Sequence, residues 1–222
     1  MTSTAPDTVA ILGGTGQQGR GLAQRLARAG VRVLIGSRDP ERARAAVAAW
    51  PAAAGAIDVL SNAAAVAQSA SVVIAVPFAS VDALIDEVAP SFIADAIAID
   101  VTVPVTFAGG KMAMLEVAEG SASEHIRARL PAAVGLAAAF KTVPAHRLGD
   151  SDAPLDCDEF VCGDSEAARG RAAQLIELLP GLRAVDVGPL SRARSIEHLT
   201  ALAIAINRRH KIHDARFRIV GL

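Results

Sequence analysis

TVAILGGTGQQGRGLAQRLARAG, residues 8–30, decides the fold. The run 8–13 is aliphatic and β-branched and leads into a glycine cluster, after which Leu22, Leu26 and Ala29 recur at helical spacing. That order predicts a strand, a tight turn and a helix. Gly14, Gly16 and Gly19 fit G-x-G-x-x-G where strand passes into helix, the place at which a dinucleotide fingerprint has a physical function. Gly14 is expected to permit the turn, Gly16 to let backbone approach a pyrophosphate, and Gly19 to let helix and strand pack closely. The helix N-terminus then favours the anion. The bland alternative, a glycine-rich turn with no ligand, fits the strand–turn–helix context less well.

Further along, a second strand is expected at 31–36 after a helix stop at Gly30, and Pro40 opens a second helix, since proline suits the first turn. Strands follow at 57–60, 71–76 and 96–101, with helices at 62–69 and 80–89 between them. These strands are continuous apolar runs rather than alternating ones, so helices are expected on both sheet faces, as in a parallel sheet. The later chain reads as a helix at 121–129, a strand at 133–140, an irregular stretch to about 157 and a strand at 160–162. A helix at 165–179, a strand at 182–187, a long helix at 190–209 and a short terminal strand complete it. The expected class is α/β, a Rossmann-type doubly wound parallel sheet with a small C-terminal α/β extension. Residues 1–105 are expected to bind the nucleotide and 106–222 to form the extension, with no internal repeat and no linker.

At 222 residues the chain can bury a core, and 52% apolar against 20% charged residues excludes disorder over most of its length. Lys plus Arg (22) nearly balance Asp plus Glu (23), so no global field draws it to nucleic acid or to an anionic membrane. No basic n-region precedes the first apolar run, and no apolar stretch approaches the roughly 18 residues of a membrane span. A cytoplasmic location is expected. Cys157 and Cys162 lack a second pair at zinc-site spacing, so they are expected to be buried thiols, with no metal. The chain has no tyrosine and only 3% aromatics, which excludes any mechanism with a phenol as proton donor and argues against stacking platforms for single-stranded nucleic acid. The basic run Arg208, Arg209, His210 and Lys211 closes the last helix, where it compensates the dipole. The apolar stretch 199–206 makes a homodimer an expectation.

An NAD site places Asp or Glu at the end of the second strand, roughly 20 residues past the glycines, to accept from the ribose hydroxyls. Ser37 and Arg38 stand there instead, with Arg42 a helical turn further on. A hydroxyl and a fork of donors suit a 2′-phosphate, which a carboxylate would repel, so NADP is expected over NAD. The alternative for both arginines is a solvated surface charge.

The segments GGTGQQGRGLAQRLARAG and GSRDPERA (13–30 and 36–43), VPF (76–78), TVPA (142–145), VCGD (161–164) and GLRAVDVGPLSRARSIEHLT (181–200) resemble the NADPH-dependent coenzyme F420 reductases, or F420:NADP oxidoreductases. The likeness runs from end to end of the chain, and the last segment is far more specific than the glycine fingerprint. It implies a Rossmann domain, a C-terminal extension forming a deazaflavin pocket, and reversible hydride transfer between NADP(H) and F420 as co-substrate. Carried over by matching position, Thr15, Gly16, Gln17 and Gln18 hold the pyrophosphate, and Ser37, Arg38 and Arg42 the 2′-phosphate. Val76, Pro77, Phe78, Val105 and Ala145 lie on the nicotinamide side, with core packing the alternative for Phe78 and Val105. Lys141 stands where a family member carries histidine, and His198 where a serine is found. With Thr200 they are expected on the deazaflavin side, Lys141 either pairing with the anionic coenzyme or lying free on the surface, and His198, in a helix among Ile196 and Leu199, reading more readily as a structural histidine than as a catalyst.

In this reading no side chain is a certain acid, base or nucleophile, and catalysis is alignment of two coenzymes with water excluded. Two other readings stand beside it: an NADPH-dependent reductase of a flavin, quinone or metal chelate, and an NADPH-sensing protein without turnover.

Overall fold

The computed structural model describes residues 8–50, 56–109, 111–150 and 153–222. Its first half alternates strands and helices: β1 (Thr8–Leu12), α1 (Gln17–Arg28), β2 (Arg32–Ser37), α2 (Pro40–Ala48), β3 (Ile57–Ser61), α3 (Asn62–Val66), β4 (Ser71–Ile74), α4 (Val81–Val88) and β5 (Ile97–Asp100). The second half holds a hairpin, β6 (Val105–Ala108) and β7 (Lys111–Met114), then α5 (Ala122–Arg127), β8 (Gly135–Ala138), α6 (Ala145–Gly149), β9 (Cys157–Gly163), α7 (Glu166–Glu177), β10 (Leu182–Pro189) and α8 (Ala193–His210). Eight strands form one sheet in the order β10-β9-β8-β5-β4-β1-β2-β3, and the hairpin stands apart from it.

Strand pairs from β3 to β8 are all parallel, β9 pairs antiparallel with β8, and β10 runs parallel to β9. The sheet is thus mostly parallel, with one reversed junction that the apolar pattern did not disclose. Strand β1 explains why its run is continuous. Val9 and Ile11 join one core with Leu22, Leu26, Ala168 and Leu175, while Ala10 and Leu12 join another with Val66, Val81 and Ile85. Helices α1 and α7 cover one face, α3 and α4 the other, and each buried leucine or isoleucine stabilises by about 1.5–3 kcal/mol. A third cluster, Ala138, Phe160, Cys162, Ala193 and Ile196, seats α8 against the reversed end.

The chain departs from β1 in both directions, to β2 and β3 on one side and to β4 and β5 on the other. Ligands bind at such a switch point, beyond the carboxyl ends of the strands.

The hairpin, helix α6 and the tail depart most from expectation. The hairpin lies outside the expected elements, although Gly109 and Gly110 between two short runs are a hairpin signal. Helix α6 fell inside the stretch read as irregular. It is only five residues long, and Arg25 of α1 holds its C-terminal end by donating to the carbonyls of Leu148 (3.0 Å), Arg147 (2.8 Å) and Asp150. The terminal strand is absent among the described residues. Instead Phe217 accepts from the Asp158 amide at 2.9 Å, beside the part of β9 that β8 leaves unpaired, and the two guanidinium nitrogens of Arg183 reach the Ile219 and Leu222 carbonyls. The tail is tied by a backbone bond and by side chains, where a ladder is expected.

Candidate active site

Between β1 and α1 the turn falls on Gly13, not on Gly14 as the spacing suggested. Gly13 has φ +79°, and a Cβ there would stand 2.5 Å from the Ala75 carbonyl oxygen. Gly14 is buried against Ile35, and Gly19 lets α1 settle on the turn, since its Cβ would meet the Gly13 oxygen at 2.6 Å. Gly16 is the exposed N-cap of α1; no side chain caps the helix there, and its first turn carries no acidic residue. The first-turn amides are left for an anion, which is the fit a pyrophosphate requires.

A hollow of about 450 Å³ opens beside this turn, lined by Thr15, Ser37, Arg38, Asp39, Arg42 and Ala46. The Ser37 hydroxyl donates to the Asp39 carbonyl (2.9 Å) and accepts from its amide (3.1 Å), which fixes the bend after β2. Asp39 escaped the sequence reading, although Asp before Pro at a helix start is an N-cap signal. Its carboxylate accepts from the Arg42 amide at 3.0 Å and so caps α2. Among the described residues neither Arg38 nor Arg42 makes an ion pair, and both are exposed. Two guanidinium groups beside a bound hydroxyl fit a phosphate dianion.

A second hollow, about 480 Å³, is lined by Gly16, Arg38, Asn62, Val76, Pro77 and Glu87, among others. Asn62 is buried and donates to Glu87 at 3.1 Å across its wall; neither residue was singled out from sequence, and only the helix start at Ser61 and Asn62 pointed there. A third, about 550 Å³, lies between Gln17, Pro144, Ala145, His146, Asn207 and His213, and so draws on α1, α6 and the end of α8. Phe78, Val105, Lys141, His198 and Thr200 line none of these three.

Their places are nonetheless definite. Phe78 meets the His125 ring edge-on at 5.3 Å, and His125 is held by Asp82 (2.7 Å) and Glu119 (3.0 Å). The hydrogen bond from His125 holds the Glu119 carboxyl down at about 2. Val105 is half-buried in the hairpin and His198 is exposed on α8.

Lys141 corrects both of its expected placements, against the coenzyme or free on the surface. Its side chain is fully buried and its ammonium lies 2.6 Å from Asp100 and 3.2 Å from Glu197, with the Thr102 carbonyl as a further acceptor. Burial by itself would lower this ammonium; the Asp100 and Glu197 charges reverse that and hold it above its ordinary value. Burial raises the Glu197 carboxyl, against the pull of Lys141. Asp100 also accepts from Ser123 (2.6 Å) and the Thr102 amide (2.7 Å), and Glu197 from the Ala122 amide. The Thr200 hydroxyl donates to the Lys141 carbonyl at 2.9 Å. The Gln18 amide, expected at the pyrophosphate, donates to the Phe140 carbonyl at 2.6 Å. Cys157 and Cys162 are free, buried thiols pushed up by burial to about 11 and about 12, which leaves them inert.

A doubly wound sheet with this cleft at its switch point defines a dinucleotide-binding protein of the Rossmann type. Residues 8–104 match the family described as NADP oxidoreductase, coenzyme F420-dependent. The chain is 37% identical to the F420-dependent NADP reductase of Methanothermobacter thermautotrophicus, over 96% of this chain and 95% of that one. It is 32% identical to the F420-dependent NADP reductase of Methanocaldococcus jannaschii over 96% and 98% of the two chains. A crystal structure from Arthrobacter sp. FB24, described as a candidate F420-dependent NADP-reductase, superposes with a TM-score of 0.83 at 27% identity, covering 96% of this chain and 98% of that one. The chain belongs to the F420-dependent NADP oxidoreductase family.

Proposed function

We propose that this protein transfers a hydride reversibly between NADP(H) and the deazaflavin coenzyme F420. The observation that carries the reading is the hollow of Thr15, Ser37, Arg38 and Arg42 beside an uncapped helix N-terminus, in a chain of this family. NADP(H) and F420, when bound, supply the donor and acceptor of the hydride. The chain's own part is to hold them. Gly14, Thr15, Gly16, Gln17, Gln18 and Gly19 form the pyrophosphate turn, with Gln18 acting through Phe140. Ser37, Arg38 and Arg42 take the 2′-phosphate, while Val76, Pro77, Phe78, Val105 and Ala145 bound the nicotinamide side. Residues 1–105 bind NADP(H) and 106–222 supply the deazaflavin pocket. Thr200 acts there by fixing the Lys141 carbonyl, His198 presents an exposed imidazole, and Lys141 braces the site from within. Face-to-face alignment in a water-poor cleft accounts for the rate without an acid or base.

A cytoplasmic homodimer belongs to the same reading. It is supported by Leu202 of α8, 50% exposed, and by Phe107 of the hairpin, 63% exposed. Among the described residues no helix is long and apolar enough to cross a membrane. The near-balance of charge supports a small-molecule partner rather than nucleic acid.

The test mixes protein and NADPH with F420, with FMN, or with no acceptor, and follows deazaflavin bleaching and NADPH loss. Rapid bleaching of F420 is expected. Turnover with FMN alone, or NADPH binding without turnover, would replace the reading by one of its two competitors.

A further inference from the structure

Strand β9 carries a carboxylate that the reaction does not use. Glu159 is wholly buried, and its partners all lie in the turn 141–143: the Lys141 amide (2.9 Å), the Thr142 amide (3.3 Å), the Thr142 hydroxyl (2.8 Å) and the Val143 amide (2.9 Å). Among the described residues no cation pairs with it. Removing this acceptor would leave three amides and a hydroxyl of one turn buried without a partner, so Glu159 fixes where that turn sits. The same turn is gripped from three other elements: Gln18 of α1 at the Phe140 carbonyl, Thr200 of α8 at the Lys141 carbonyl, and Asp100 at the end of β5 through the Lys141 ammonium. Phe140 is held at φ +56°, a conformation that costs a non-glycine residue and persists where surroundings over-determine it. Pro144 and Ala145 come next and line the hollow shared with Gln17 and His213.

We propose that Glu159 is a positioning residue for hydride transfer: by gathering the amides of 141–143 it sets the height of the Pro144–Ala145 wall relative to the pyrophosphate turn, and so the spacing of the two coenzymes. This rests on the function proposed above. Glu159 touches neither coenzyme. Its effect is on alignment, where a displacement of about 1 Å costs on the order of 100-fold in rate, and only weakly on affinity.

Glu159→Gln keeps the shape but sets an amide NH2 against backbone donors. In the full-length protein, assayed with NADPH and F420, kcat is expected to fall about tenfold or more while both KM values stay within about threefold. Hydrogen exchange of the 140–145 peptide should accelerate at least about tenfold, with β1 and β4 unchanged. A folded variant with wild-type kcat, with raised KM at unchanged kcat, or with unaltered exchange at 140–145 overturns the proposal. Should Glu159→Gln not fold, Thr142→Val decides, since it removes only the hydroxyl contact: a fall of about threefold in kcat with faster exchange supports the proposal, and wild-type behaviour refutes it. Absence of F420 turnover in the unmutated protein would sink the underlying reading, whereas turnover that neither variant alters sinks this inference alone.

Discussion

The hollow after β2 and the turn after β8 handle charge in opposite ways. Arg38 and Arg42 stand exposed with no ion-pair partner among the described residues, whereas Lys141 is sealed between Asp100 and Glu197 with every charge satisfied inside the protein. Exposed, unpaired charge contributes little to stability and is free to meet a ligand. Buried, paired charge contributes to a fixed geometry and is expensive to disturb. On the function proposed above, the first region acts on affinity and the second on architecture.

The largest expected effect breaks the second region. Lys141→Met leaves Asp100 and Glu197 facing each other without a cation, and urea unfolding should show a loss of about 3–5 kcal/mol. A loss below about 1 kcal/mol would mean that the ammonium is not a structural partner of both carboxylates.

Next comes pH. Burial pushes Glu159 from 4.5 up to about 7. A raised folded-state value contributes stability that is fully present below the unfolded value and lost as pH rises through the folded one, here a window of about pH 4.5 to 7 and on the order of 3 kcal/mol. The stability of the unmutated protein relative to Glu159→Gln should therefore shrink from about pH 5 to about pH 8. A constant difference in Tm across that range would contradict it.

Arg38→Ala sharpens the contrast from the other side. Losing one charged hydrogen bond of about 1.5–3 kcal/mol should raise the KM for NADPH by roughly 10- to 100-fold, leave that for NADH unchanged, and alter Tm by no more than a degree or two. The smallest effect belongs to Thr200→Val, which removes the hydroxyl bond to the Lys141 carbonyl and should cost about 1 kcal/mol by urea unfolding.

The sequence made the two regions unequally legible. The strands from β1 to β5 are readable because both faces of a parallel sheet bury apolar side chains, and the proposed adenosine side because its turn, hydroxyl and guanidiniums are close together along the chain. The turn after β8 was opaque. The fate of Lys141 depends on Asp100, 41 residues before it, and on Glu197, 56 residues after it. The apolar pattern starts strand β9 at Phe160, because Asp158 and Glu159 look like loop residues, whereas the strand begins at Cys157. Both are buried, one against the Arg183 guanidinium at 2.7 Å and the other against the amides of 141–143. No local pattern signals a charge whose partner lies on another strand or turn.

Calorimetric titration of the unmutated protein with NADPH and with NADH bears most directly on the whole account. NADPH should bind at least about tenfold more tightly, and the advantage should diminish as salt screens the guanidinium groups. Equal affinity for the two nucleotides, or binding of neither, would contradict it.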